Sequence, residues 1–153
     1  MTNLTVELGP RSYPIRIGSG IAGGIGAFAR AVAPKSELAM IVTDENVDPH
    51  ALPLAESLKA AGFRTSTVIL QPGEETKSLA WVNELYDELA EQNADRRTLV
   101  VALGGGVIGD LAGFAAATYN RGLHCSWCRR RCSRWSIPAS AARSASTTSA
   151  ART

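Results

Sequence analysis

Residues 103–110, Leu-Gly-Gly-Gly-Val-Ile-Gly-Asp, limit more than any other stretch what this chain can fold into. They follow a strand-like run, Thr98-Leu99-Val100-Val101-Ala102, and precede an apolar segment with helical spacing, Leu111 to Tyr119. Three glycines at a strand-to-helix turn leave backbone N–H groups uncovered by side chains. The helix start behind them adds a partial positive charge, so the turn suits a phosphate or pyrophosphate. Gly104, Gly106 and Gly109 satisfy G-x-G-x-x-G, a weak signal when it stands alone. The acidic ribose ligand usual about 20 residues further on is missing, because no Asp or Glu follows Asp110.

Charge divides the chain in two. The net charge of +2 hides a body, residues 1–120, that holds all 14 acidic residues, and a tail that holds none. Residues 121–153 carry seven of the 16 basic residues, all Arg, together with all three cysteines. The body is long enough for one modest domain, and its lack of cysteine gives no sign of a disulfide framework. No apolar run approaches the roughly 20 residues that span a bilayer, and the N-terminus lacks a signal-peptide pattern. A soluble cytoplasmic protein without a membrane partner is expected.

Apolar and turn residues alternate along the body in a regular order. Leu4 to Leu8 and Tyr13 to Ile17 alternate apolar with polar around Gly9-Pro10-Arg11-Ser12, which predicts an antiparallel hairpin. Helical segments are expected over 21–32, 49–61 (closed by Gly62) and 78–92, the last with Leu79, Val82, Leu85 and Leu89 on one face. Leu38 to Val42 is continuously apolar, as in a strand covered on both faces, and Thr65 to Leu70 and Thr98 to Leu103 read as further strands. This order predicts an α/β domain with a Rossmann-like, mainly parallel sheet and an N-terminal β-hairpin. Ligands collect at the carboxyl ends of such strands. Three polar clusters fall there: Thr43-Asp44-Glu45-Asn46, Pro72-Gly73-Glu74-Glu75-Thr76-Lys77, and Gly104 to Asp110.

These clusters, in this order and spacing, resemble the N-terminal domain of 3-dehydroquinate synthase. The run LGGGVIGDLAGFAAATYNRG, residues 103–122, carries most of the likeness, which covers roughly residues 1–122. Sugar-phosphate cyclases and metal-dependent glycerol dehydrogenases share the fold but match this run less well. The resemblance implies a truncated N-terminal domain of the dehydroquinate synthase-like fold, binding NAD. It also implies a divalent metal, zinc or cobalt, whose ligands sit in a C-terminal helical domain that these residues do not include. It implies a usually homodimeric enzyme of the shikimate route that cyclises a sugar phosphate, 3-deoxy-arabino-heptulosonate 7-phosphate, with loss of phosphate. Carried over by position, Asp44 and Asn46 would hold the adenosine end of NAD, which supplies the missing acidic partner. Glu74 and Lys77 would contact the nucleotide, Gly105 and Gly106 would pass the pyrophosphate, Val107 and Gly109 would also bind the cofactor, and Asp110 would lie near the nicotinamide. Arg121 would help bind the substrate's phosphate. Read without the family, Lys77 is a solvated lysine near a helix start, Asp110 a first-turn carboxylate favouring the helix dipole, and Arg121 a surface arginine.

After Gly122 the resemblance stops. The residues from Cys128 to Arg143 permit codons that, read one base earlier, spell Val-Pro-Thr-Thr-Leu-Leu-Ala-Met-Val-Asp-Ser-Ser-Val-Gly-Gly-Lys. That is the continuation the family shows, so an out-of-frame translation from about residue 124 is expected, with 123–153 an Arg/Ser/Ala-rich tail, disordered or frameshifted. Two competing readings take the tail at face value. His124 with Cys125, Cys128 and Cys132 could form a zinc site, and Arg129 to Arg131 with flanking tryptophans could bind nucleic acid. Neither displaces the expectation of a fragment without nucleic-acid partner, metal ligands or catalytic residues, inactive by itself. A stand-alone nucleotide-binding module without chemistry is the principal alternative.

Overall fold

The computed structural model describes residues 2–9, 12–18, 21–129 and 134–136. Strands β1 (Thr2–Val6) and β2 (Tyr13–Ile17) form the antiparallel hairpin, with Thr2 opposite Ile17 and Val6 opposite Tyr13. There follow α1 (Ile25–Val32), β3 (Leu38–Asp44), α2 (Ala51–Ala60), β4 (Arg64–Leu70), α3 (Leu79–Glu91) and β5 (Leu99–Leu103). The chain continues with α4 (Gly106–Thr118), β6 (His124–Arg129) and β7 (Arg134–Ser136). One seven-stranded sheet results, in the order β1-β2-β7-β6-β5-β3-β4. The pairs among β4, β3, β5 and β6 are parallel; the pairs joining β6, β7, β2 and β1 are antiparallel.

Side-chain alternation explains why the central strands are apolar throughout. Ala39 and Ile41 of β3 pack with Leu99, Val101 and Leu103 of β5 against α1 and α2, through Phe28, Leu54 and Leu58. Met40, Val42, Val100 and Ala102 point the other way, onto Val82, Leu85 and Leu89 of α3 and Ile108, Leu111 and Ala115 of α4. A strand buried on both faces has no polar alternate, so β3 and β5 read as continuous hydrophobic runs.

Three expectations change. Helix α4 starts at Gly106, inside the glycine cluster, so Val107, Gly109 and Asp110 are helical rather than part of the turn. Leu79 leaves the buried face of α3 and is 72% exposed. Residues 124–129, placed at the start of a disordered or frameshifted tail, form β6, which runs parallel to β5 from Leu99↔His124 to Leu103↔Cys128. The first residues of the tail therefore form a strand, because Cys125, Ser126, Trp127 and Cys128 alternate between the two covered faces. Cys125 packs on the α3–α4 side and Cys128 on the α1–α2 side. Residues three apart on a strand point oppositely, so these two thiols cannot grip one metal ion. Cys132, Arg130, Arg131 and residues 139–153 of the metal, nucleic-acid and tail readings lie outside the described residues. No helix among the described residues is long and apolar enough to cross a membrane.

Candidate nucleotide-binding site

The parallel strands β4, β3, β5 and β6 end on one edge, and the three polar clusters follow there. Asp44 is the last residue of β3. Its Oδ1 accepts hydrogen bonds from the backbone N–H of Asn46 (3.0 Å) and of Val47 (3.1 Å), an Asx turn that carries the chain off the sheet. The carboxylate is half-buried and Asn46 is exposed. After β4, Gly73 has φ +122°, a conformation only glycine adopts comfortably. The buried Thr76 hydroxyl donates to the Gln71 carbonyl at 2.6 Å and folds the loop back, presenting exposed Glu74 and Lys77.

The glycine cluster follows β5. Gly104 is buried, its N–H donating to the Cys128 carbonyl of β6 at 3.0 Å. Gly105 is the N-cap of α4 and offers no side chain to the free N–H groups of the first turn. A Cβ placed on Gly105 or Gly106 would stand in open space, with no atom within 4 Å. Open backbone, uncapped amides and the positive end of a 13-residue helix meet the requirements of a pyrophosphate, so these residues fit the phosphate portion of NAD. Gly109 has a different reason to be glycine: a Cβ there would overlap the indole of Trp127, with Nε1 at 2.8 Å.

Lys77 and Asp110 come together. Lys77 Nζ donates to Asp110 Oδ2 at 2.7 Å. The hydrogen bond to Asp110, then its charge, with a smaller contribution from Glu74, raises the lysine pKa above its ordinary value. Asp110 lies in the second turn of α4, so it is not a first-turn carboxylate, and Lys77 is not merely solvated. Beside the pair opens a cleft of about 340 Å³ between α3 and α4, walled by Leu79, Val82, Leu111 and Phe114. Sequence reasoning missed Leu79 and Phe114 as part of this edge. A signal existed for Phe114, which follows Asp110 by four residues and so shares its helix face.

Arg121 does not join the cluster. Helix α4 runs back from the strand ends for 13 residues, about 20 Å. Arg121, at φ +67°, follows it at the opposite edge, just before β6 begins. No group of three or more His, Cys, Asp or Glu among the described residues could hold a metal ion. The described residues therefore fit the nucleotide and do not fit the metal.

Comparison with known proteins agrees with this architecture. The family model for 3-dehydroquinate synthase N-terminal matches residues 67–129. The 3-dehydroquinate synthase of Geobacter metallireducens is 52% identical over 124 residues, covering 80% of this chain and 34% of that protein. A crystal structure of 2-deoxy-scyllo-inosose synthase superposes with TM-score 0.75 at 25% identity, covering 84% of this chain and 36% of the other. The same enzyme complexed with carbaglucose-6-phosphate, NAD+ and Co2+ gives TM-score 0.73 at 26% identity, covering 81% and 33%. Fold and strand-end clusters thus define a dehydroquinate synthase-like α/β domain. Its matched residues are similar to the N-terminal domain of 3-dehydroquinate synthases. The chain spans about a third of the length of the curated relatives it matches.

Proposed function

We propose that this chain is the NAD-binding part of a 3-dehydroquinate synthase, the enzyme that converts 3-deoxy-arabino-heptulosonate 7-phosphate to 3-dehydroquinate with loss of phosphate. The observation that carries the reading is the uncapped, open glycine turn at the start of α4, sharing one sheet edge with Asp44 and the Lys77–Asp110 pair. Asp44 has one carboxylate oxygen in its Asx turn, and the other is suited to ribose hydroxyls. The amides of the first turn of α4 hold the pyrophosphate, with Asn46 and Glu74 beside the nucleotide. Lys77 stays protonated and Asp110 fixes its position, so the lysine orients polar groups and does not abstract protons. When bound, NAD supplies a hydride acceptor that takes a hydride and gives it back. Arg121, at the far edge, is reserved for the substrate's phosphate outside this cluster. The same reading assigns zinc or cobalt, homodimerisation and a cytoplasmic location to the whole enzyme, and makes the 153-residue chain inactive by itself.

The frame reading belongs to this proposal: residues from about 124 onward are out of frame, and resequencing codons 120–130 tests it. A clean in-frame read with unrelated codons overturns it. Function is tested on the purified chain by amide chemical shifts during titration with millimolar NAD. Weak, saturable shifts at 104–110, with no phosphate release from the heptulosonate phosphate, are expected. Absence of shifts at these amides overturns the nucleotide site, and any phosphate release overturns the inactivity. Tight, micromolar NAD binding without chemistry would favour the stand-alone module instead.

A further inference from the structure

The glycine turn is built on β6, which lies within the residues that the family model matches. Two contacts join them. The Gly104 N–H bonds the Cys128 carbonyl at 3.0 Å, and the Trp127 indole lies directly on Gly109. Trp127 is partly buried and packs among the side chains of the α3–α4 face, so its ring is seated. On the other side of the turn, Ile108 stands 3.0 Å from where a Gly104 Cβ would be, leaving little slack. The Gly109 N–H closes the first turn onto the Gly105 carbonyl at 3.0 Å. A push on Gly109 is therefore transmitted to Gly105, where the uncapped amides begin.

We infer that Trp127 is a positioning residue for the glycine turn: its indole, seated on Gly109, holds the first turns of α4 so that the amides at 105–107 stay ordered together. Amides fixed before a ligand arrives need not be ordered by it, which strengthens binding of a phosphate-bearing ligand. That the ligand is a dinucleotide rests on the function proposed above; that Trp127 holds the turn is a property of the 153-residue chain with the residues it carries, and a reframed sequence would put another side chain on Gly109.

Amide hydrogen exchange on the 153-residue chain tests the inference without any ligand, comparing wild type, W127F, W127A, G109A and W127A/G109A. Trp127→Ala is expected to speed exchange at 105–110 about tenfold, leaving β3 and α2 unchanged, because only a local opening is made easier. Trp127→Phe, which keeps a ring against Gly109, restores most of the protection. Gly109→Ala is harmful in the wild type and much less so with Trp127→Ala, since the added methyl then has room. Unchanged exchange at 105–110 overturns the inference, as does equal acceleration throughout the chain. Should W127A or its double variant not fold, W127F and G109A carry the test: mild acceleration confined to the turn in both supports it, and none in either overturns it. Adding NAD to the same samples separates the two proposals. Shifts absent in every variant, with the exchange contrast intact, defeat the dinucleotide reading and leave this one standing.

Discussion

Lys77 and Asp110, 33 residues apart in sequence, meet at 2.7 Å across the mouth of the α3–α4 cleft. Both side chains are about half exposed, 50% and 54%. An ion pair so open to water contributes little to folding, since solvent and salt screen it. Its consequence is positional, because it ties the loop before α3 to the second turn of α4. Lys77→Met and Asp110→Asn should each leave the thermal midpoint unchanged within error. In the reframed full-length enzyme, each should weaken NAD about tenfold or more, the loss of one charge-assisted contact. A large fall in midpoint with NAD affinity intact would assign the pair to stability instead.

Arg30 contrasts with Lys77, because its partners are backbone carbonyls. Its guanidinium donates to Ala61 O through Nε (3.1 Å) and Nη2 (3.0 Å), and through Nη1 to Ser36 O (2.7 Å) and Pro34 O (3.2 Å). It also stacks 3.8 Å over the Phe63 ring. One planar fork thus joins the end of α1, the turn before β3 and the C-terminus of α2. Arg30→Ala should destabilise the domain by about 2–4 kcal/mol, and Arg30→Lys should recover only part of this, lacking the fork. Denaturant unfolding measures both, and equal stability of the Lys variant and wild type would refute the geometry.

Two buried hydroxyls make the opposite prediction. Thr43 Oγ1 and Ser126 Oγ have no hydrogen-bond partner among the described residues, and both side chains are fully buried. Removing an unpaired buried hydroxyl without changing shape relieves a desolvation cost. Thr43→Val should therefore be neutral or stabilising by about 1 kcal/mol. Ser126→Ala should fall in the same range. A loss beyond about 1 kcal/mol would show that a partner satisfies the group.

The thiols of β6 give a pH dependence. Burial pushes the Cys125 pKa up to about 12 and that of Cys128 up to about 11, from an ordinary 9.0. The folded chain then holds protons that the unfolded chain releases. Stability from this source is full below pH 9 and falls as pH rises through 9 toward the folded values. The slope is about 1.4 kcal/mol per pH unit for each thiol. Replacing both cysteines by Ala should flatten the alkaline limb of the stability curve. In the native protein both thiols should also alkylate slowly at pH 8 and rapidly in denaturant.

Much of this was legible because the central strands announce themselves. Leu38 to Val42 and Leu99 to Leu103 are apolar at every position, and a sheet covered on both sides is the arrangement that requires it. The Asx turn at Asp44 and the glycine φ at Gly73 likewise follow from residue chemistry. The start of α4 was not legible, since glycine has low helix propensity and its helical state here depends on packing against β6. Leu79 was misplaced because periodicity assigns a face by angle, whereas the first residue of a helix can project past its neighbours into a cleft. The Lys77–Asp110 meeting needed the strand order, as nothing local links residues 33 apart. Strand β6 was not legible because His124 to Arg129 holds no β-branched residue, although Cys125-Ser126-Trp127-Cys128 can fill a strand between two covered faces. The likeness grouped Arg121 with the site residues, and only the direction of α4 revealed that it stands at the other edge.

The hairpin joins the rest of the sheet through three residue pairs, Ile15↔Ser136, Arg16↔Trp135 and Ile17↔Arg134. These partners are separated by about 120 residues, so β2 must wait for β7 before its second edge is matched. Closing so long a loop is slow, whereas β3, β4 and β5 find one another over a few tens of residues. During translation the parallel core can form while the hairpin is unattached, leaving an open sheet edge until β7 emerges. Whatever sequence occupies residues 134–136 therefore governs when the hairpin joins the sheet.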